Sequence, residues 1–136
     1  MRQVVVDTNV LISVIFRRNE EQRALGLELF DRAGSGELVI VLPQFVIFEA
    51  IHVFGSYYRF SPAAITKMLR EAMALPGTTI GNDCPWPLFF EHWSNLKPSV
   101  GDAAILALAI EHRYTLATFD HKLSNRAKAF GVAPYW

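Results

Sequence analysis

Four acidic residues stand where their side chains could do joint chemistry. Asp7 ends the β-branched run Val4–Val6, and Glu49 lies inside the apolar stretch PQFVIFEAIHVF. Asp102 opens GDAAILALAI, and Asp120 follows the short run 115–118. Carboxylates converging in a low-dielectric cleft repel one another, which raises some of their pKa values. A divalent cation resolves that conflict, and an all-oxygen ligand set favours Mg²⁺ or Mn²⁺ over zinc. Such a cluster would suit activation of water and charge neutralisation during in-line attack on a phosphodiester.

Each acid also has a simpler reading. Asp7 can be a helix-entry residue, and Asp120 the N-cap of the helix behind it. Ser99-Val100-Gly101-Asp102 matches a capping box, yet Asp102 heads the stripe Ile105, Leu106, Ala109, Ile110 and so leans toward a buried face. Glu49 is the hardest to explain structurally. Apolar residues surround it, a helix there would be apolar nearly all round, and a buried glutamate calls for a partner or a metal.

Positioning these acids requires alternating strands and helices. The sequence predicts strands at 4–6, 38–42, 78–80 and 115–118, with a last one near Val132. Helices are expected from Val10 to Ile15, around 25–33, over 44–54 as a buried helix, after Ser61-Pro62, at 101–113 and at 121–130. Ile65, Met68, Leu69, Ala72 and Met73 follow helical spacing. The stretch 85–93 reads as a loop and helix whose Trp86, Phe89, Phe90 and Trp93 belong to the core. Strands that are continuous apolar runs between helices indicate a parallel sheet covered on both faces. Ligands bind such sheets outside the carboxyl ends of the strands, where strand order reverses. Asp7 and Asp120 both fall on that rim.

Composition narrows the setting. The 136 residues predict one domain, 1–136, with 51% hydrophobic and 19% charged residues, the latter below the ~25% of an average soluble domain. That balance points to apolar surface covered by a partner, such as a second copy. A net charge of zero leaves nucleic-acid contact to a local patch. Cys84 is the only cysteine, which excludes an internal disulfide and fits a cytoplasmic protein. The longest apolar run, 103–110, falls well short of the ~20 residues of a membrane span.

VVVDTNVLI, the glutamate of LPQFVIFEAIHV, GDAAILALA and ATFDHKL, in that order, together resemble the PIN-domain ribonucleases, most of all the VapC-type toxins of toxin–antitoxin pairs. The resemblance implies a three-layer α/β/α sandwich with a five-stranded parallel sheet and Mg²⁺-dependent endoribonuclease activity. It assigns the acids to Asp7, Glu49, Asp102 and Asp120, a metal-supporting hydroxyl to Thr118, and to Asn9 a polar role in orienting the first aspartate. It also implies a homodimer and a small antitoxin lying in a hydrophobic groove.

Other readings are weaker. Glu49-x-x-His52 is half of a di-iron pair, and the second half is missing. His92 and His112 each follow a glutamate on a helix and read as solvated, while His121 can line the cleft. The phosphate-binding loops of nucleotide-dependent enzymes are absent, and Asn9 stands where an aspartyl-phosphate phosphatase needs a second aspartate. The main alternative is a PIN-like module that binds RNA or protein without cutting. Contacts to RNA are expected from Arg17, Arg18, Lys122, Arg126 and Lys128.

Overall fold

A computed structural model describes residues 1–81, 83–96 and 99–136. The order is β1 (Arg2–Val6), α1 (Thr8–Ile15), α2 (Glu20–Gly34), β2 (Leu38–Pro43), α3 (Gln44–His52), a π-helical turn (Val53–Tyr57) and α4 (Pro62–Met73). There follow β3 (Thr78–Gly81), α5 (Trp86–Leu96), α6 (Val100–His112), β4 (Thr115–Ala117) and α7 (His121–Ala129). The strands form one parallel sheet in the order β3-β2-β1-β4, with helices over both faces.

The expected fifth strand is reduced to a single bridge. Leu116 pairs with Pro134, donating its N–H to Ala133 O and accepting from Tyr135 N–H. Proline has no N–H to extend a ladder, so among the described residues the sheet has four strands.

Val4, Val5 and Val6 of β1 are fully buried, as are Ile40 and Leu42 of β2. Burying a valine or leucine side chain stabilises the fold by roughly 1.5–3 kcal/mol, so the β-branched runs drive sheet formation. Helix α6 is buried without a break from Ala103 to Ala109, which is why its sequence shows little amphipathic contrast. The turn into β3 needs Gly77. Its φ is +79°, and a Cβ there would meet Ala33 O at 2.2 Å.

Three expectations about burial are corrected. Helix α3 buries fully only Val46 and Ala50, so Phe48, Glu49 and Ile51 are exposed. Only Phe89 of its aromatic set goes into the core from α5. Trp86, Phe90 and Trp93 remain exposed, Trp86 at 56%. His92 is buried rather than solvated, edge-on to Phe130 with ring centroids 4.5 Å apart. In each case an apolar or polar neighbourhood in sequence proved a poor guide, because one helix face can meet the core while the opposite face is equally greasy. Among the described residues no helix is long and apolar enough to cross a membrane.

Candidate functional site

Strand order reverses beside β1: the chain moves outward from β1 to β2 to β3, then returns to place β4 on the other side. Val6 pairs with Ala117 at the carboxyl end, and Asp7 N–H continues the ladder by donating to Ala117 O at 2.9 Å. Asp7 and Thr118 therefore leave the sheet side by side. The Thr118 hydroxyl donates to Asp7 Oδ2 at 2.7 Å, while Thr8 N–H donates to Oδ1 at 2.8 Å. Asp7 is thus both the N-cap of α1 and a carboxylate fixed at the switch point.

The turn after β4 is held by the same group of residues. Asp120 N–H donates to Thr118 Oγ1 at 3.1 Å, and Phe119 N–H donates to the Asn9 side-chain oxygen at 3.3 Å. Asn9 thereby fixes the turn that carries Asp120, whereas Thr8 and Thr118 orient Asp7. Asp120 Oδ1 accepts from the N–H groups of Lys122 and Leu123, so it caps α7 as its simpler reading required. Ser99 caps α6, its Oγ accepting from Asp102 N–H at 3.1 Å. That leaves the half-buried Asp102 carboxylate facing the other acids.

Glu49 reaches the site over a glycine. A Cβ built on Gly101 would lie 2.6 Å from Glu49 Oε2, so the carboxylate occupies the space that a side chain at 101 would take. Gly101 and Ser99 are supporting residues that motif reading underrates. A glycine in the first turn of a long helix costs stability and signals a close approach.

Electrostatics tie the four acids together. Burial lifts the Asp7 carboxyl from 3.8 to about 6, against the lowering effect of the Thr118 and Thr8 hydrogen bonds, and the charges of Asp102 and Glu49 add to the rise. The Asp102 carboxyl is also raised, by partial burial first and then by Asp120. A hydrogen bond with Ser99 opposes that rise, Glu49 adds to it, and Arg126 lowers it. Arg126 is therefore the basic residue of the expected set with a clear influence at the acids.

Lys122 and Lys128 are exposed on α7, with Lys128 ~9 Å further along the axis. Arg17 is exposed, and Arg18 donates to the Tyr58 hydroxyl at 2.7 Å. His121 lines a cleft beside Thr118.

The donor set is all oxygen and suits a hard cation. Among the described residues no three Asp, Glu, His or Cys side chains form a cage that could by itself hold a metal ion. Mg²⁺ does not require one, since it keeps several waters and binds through one or two carboxylates.

With this geometry, the chain belongs to the PIN domain family, whose model matches residues 4–129. PIN domains are generally nucleases, and PIN nucleases typically use divalent metal ions. Solved structures that share the fold include three toward which the likeness is plain. PAE2754 from Pyrobaculum aerophilum superposes with a TM-score of 0.69 at 18% identity, over 98% of this chain and 90% of that one. VapBC2 from Rickettsia felis, solved bound to a DNA fragment from their promoter, gives 0.68 at 18% over 91% and 92%. FitAcB from Neisseria gonorrhoeae gives 0.63 at 17% over 98% and 96%. No curated protein matches the chain.

Two predictions follow from the acids alone. A carboxyl whose folded pKa lies above its unfolded value contributes stability below pH 3.8 that is lost as pH rises through about 6. The gap corresponds to about 3 kcal/mol at most. In metal-free protein, Asp7→Asn should therefore shrink the loss of unfolding free energy between pH 4 and pH 8, and an unchanged pH profile would contradict the buried, crowded position. Gly101→Ala should keep or raise thermal stability, because alanine favours a helix by roughly 0.5–1 kcal/mol. It should also weaken Mn²⁺ binding in calorimetry by pushing Glu49 aside; undiminished affinity would remove Glu49 from the site.

Proposed function

We propose that this chain is a Mg²⁺- or Mn²⁺-dependent endoribonuclease that hydrolyses RNA phosphodiester bonds, acting as the toxin of a toxin–antitoxin pair in the cytoplasm. What supports the reading is the mutual electrostatic influence of Asp7, Glu49, Asp102 and Asp120 beside the switch point, with Asp7 clamped by Thr118. A pure phosphate binder would gain nothing from four negative charges there. The metal would be held among the four carboxylates, by one or two of them directly. Once bound, the metal supplies an activated water and offsets charge on the scissile phosphate.

Thr118 and Thr8 keep Asp7 in one orientation, Asn9 steadies the turn bearing Asp120, and Ser99 starts α6 so that Asp102 faces inward. Arg126, beside Asp102, draws the RNA backbone toward the acids, with Lys122 further out on the same helix and Arg17, Arg18 and Lys128 as outlying contacts.

Partner surfaces support the toxin reading. An apolar cleft of about 630 Å³ between α3 and α4, lined by Ile47, Ile51, Phe60, Ile65, Leu69 and Met73, is the groove for a small antitoxin. The exposed aromatic residues Phe48, Trp86, Phe90 and Trp93 provide a face for a homodimer. The fold likeness to VapBC2 and FitAcB agrees with the sequence resemblance to VapC-type toxins.

The test is cleavage of a labelled RNA panel. Wild type should leave 5′-phosphate and 3′-hydroxyl ends, EDTA should abolish cutting, and Asp102→Asn should lower the rate by about 100-fold or more, at or beyond the range for lost metal-site support. Cyclic 2′,3′-phosphate ends formed in EDTA would move the chemistry to the histidines and overturn the mechanism. In cells, unregulated expression should slow growth and Asp102→Asn should relieve it. Equal harmlessness of both would refute the toxin role while leaving nuclease activity to stand or fall on the RNA panel.

A further inference from the structure

A second cleft, of about 360 Å³, opens directly beside Thr118, the residue that holds Asp7. The first turn of α2 forms one wall and the first turn of α7 the other. Phe119 and Trp136 lie at one side with their rings nearly parallel, 18° apart in plane and 4.8 Å between centroids, and Trp136 is 40% exposed. Gln22, His121 and Ser124 supply donors and acceptors around the same space. The volume falls in the range of small-ligand sites.

Trp136, packed on Phe119 and partly exposed where it lines the cleft, offers an aromatic surface with polar groups beside it, which suits a planar heterocycle that stacks on one and hydrogen-bonds to the other. A phosphate fits poorly. Glu21 also lines the cleft, and Glu20 and Glu21 already answer the positive end of α2.

We infer that this cleft receives an unpaired nucleobase of the RNA, next to the phosphodiester held at the acids. This rests on the nuclease reading above for the identity of the strand, though the cleft itself can be tested without cleavage. A base inserted here must first leave its stack. Gln22, His121 and Ser124 would then set which base is preferred at one position relative to the cut.

The experiment uses a short single-stranded oligoribonucleotide carrying 2-aminopurine, with Ca²⁺ in place of Mg²⁺ so that the strand stays whole. Wild type should quench the probe on binding. Trp136→Ala, checked for an unchanged melting temperature, should bind about 5- to 100-fold more weakly with the quench lost, and Trp136→Phe should recover most of both. Tyr57→Ala, which removes an exposed aromatic residue on the π-helical turn, should bind like wild type. Gln22→Ala should alter the preference among oligonucleotides that differ only at the base beside the probe.

Quenching and affinity that are the same in Trp136→Ala as in wild type would overturn the inference, as would no change of preference in Gln22→Ala. Cleavage by wild type together with a Trp136-independent quench would sink the cleft alone. Trp136-dependent binding without any cleavage in Mg²⁺ would support the cleft and sink the nuclease reading.

Discussion

The parallel pairing of β1 with β4 is the constraint on which the rest of the site depends. It carries the ladder to the last residue, so that Asp7 N–H is still bonded to Ala117 O when its side chain leaves the sheet. Only then can the Thr118 hydroxyl, 111 positions later in the chain, donate to the Asp7 carboxylate. Slipping that register by one residue would turn Asp7 to the opposite face, away from Thr118. The three fully buried valines before it hold the register, and the hydrophobic effect thus positions a polar site.

That position is electrostatically unfavourable without a counter-charge. Burial and neighbouring acids push the Asp7 carboxyl to about 6 even though it accepts two hydrogen bonds. The chain spends some stability on an arrangement that a cation would relieve, as functional sites often do. Glycine at 101 fits the same logic, since it gives up helix propensity and leaves room for Glu49.

Much of this was legible in the sequence, for identifiable reasons. Continuous apolar runs locate β1 and β2, and a parallel sheet follows from the alternation of strands with helices. Asp7 and Asp120 were placed on one rim by their positions just past strand ends. The fifth strand failed because Pro134 cannot extend a ladder, a local veto within an otherwise extended segment. Glu49 was expected to be buried because its helix is apolar all round, but α3 shows the core only Val46 and Ala50. Composition registers hydrophobicity without saying which face meets the interior. The same blindness hid the exposure of Trp86, Phe90 and Trp93. The Phe119–Trp136 stack was invisible for another reason, since it joins the β4–α7 turn to a segment beyond α7 and no periodicity links them.

The proposed function requires Asp7, Glu49, Asp102 and Asp120 to share one cation site. Thermal unfolding during a Mn²⁺ titration addresses it most directly, because a ligand bound only by the native state stabilises it by about 2.7 kcal/mol at a hundredfold excess over Kd. A clear rise in melting temperature is expected for wild type and for Glu71→Gln, whose residue lies exposed on α4. Glu49→Gln, Asp120→Asn and Asp102→Ala should show a much smaller rise. Equal shifts in all five proteins would mean that the carboxylates do not act together.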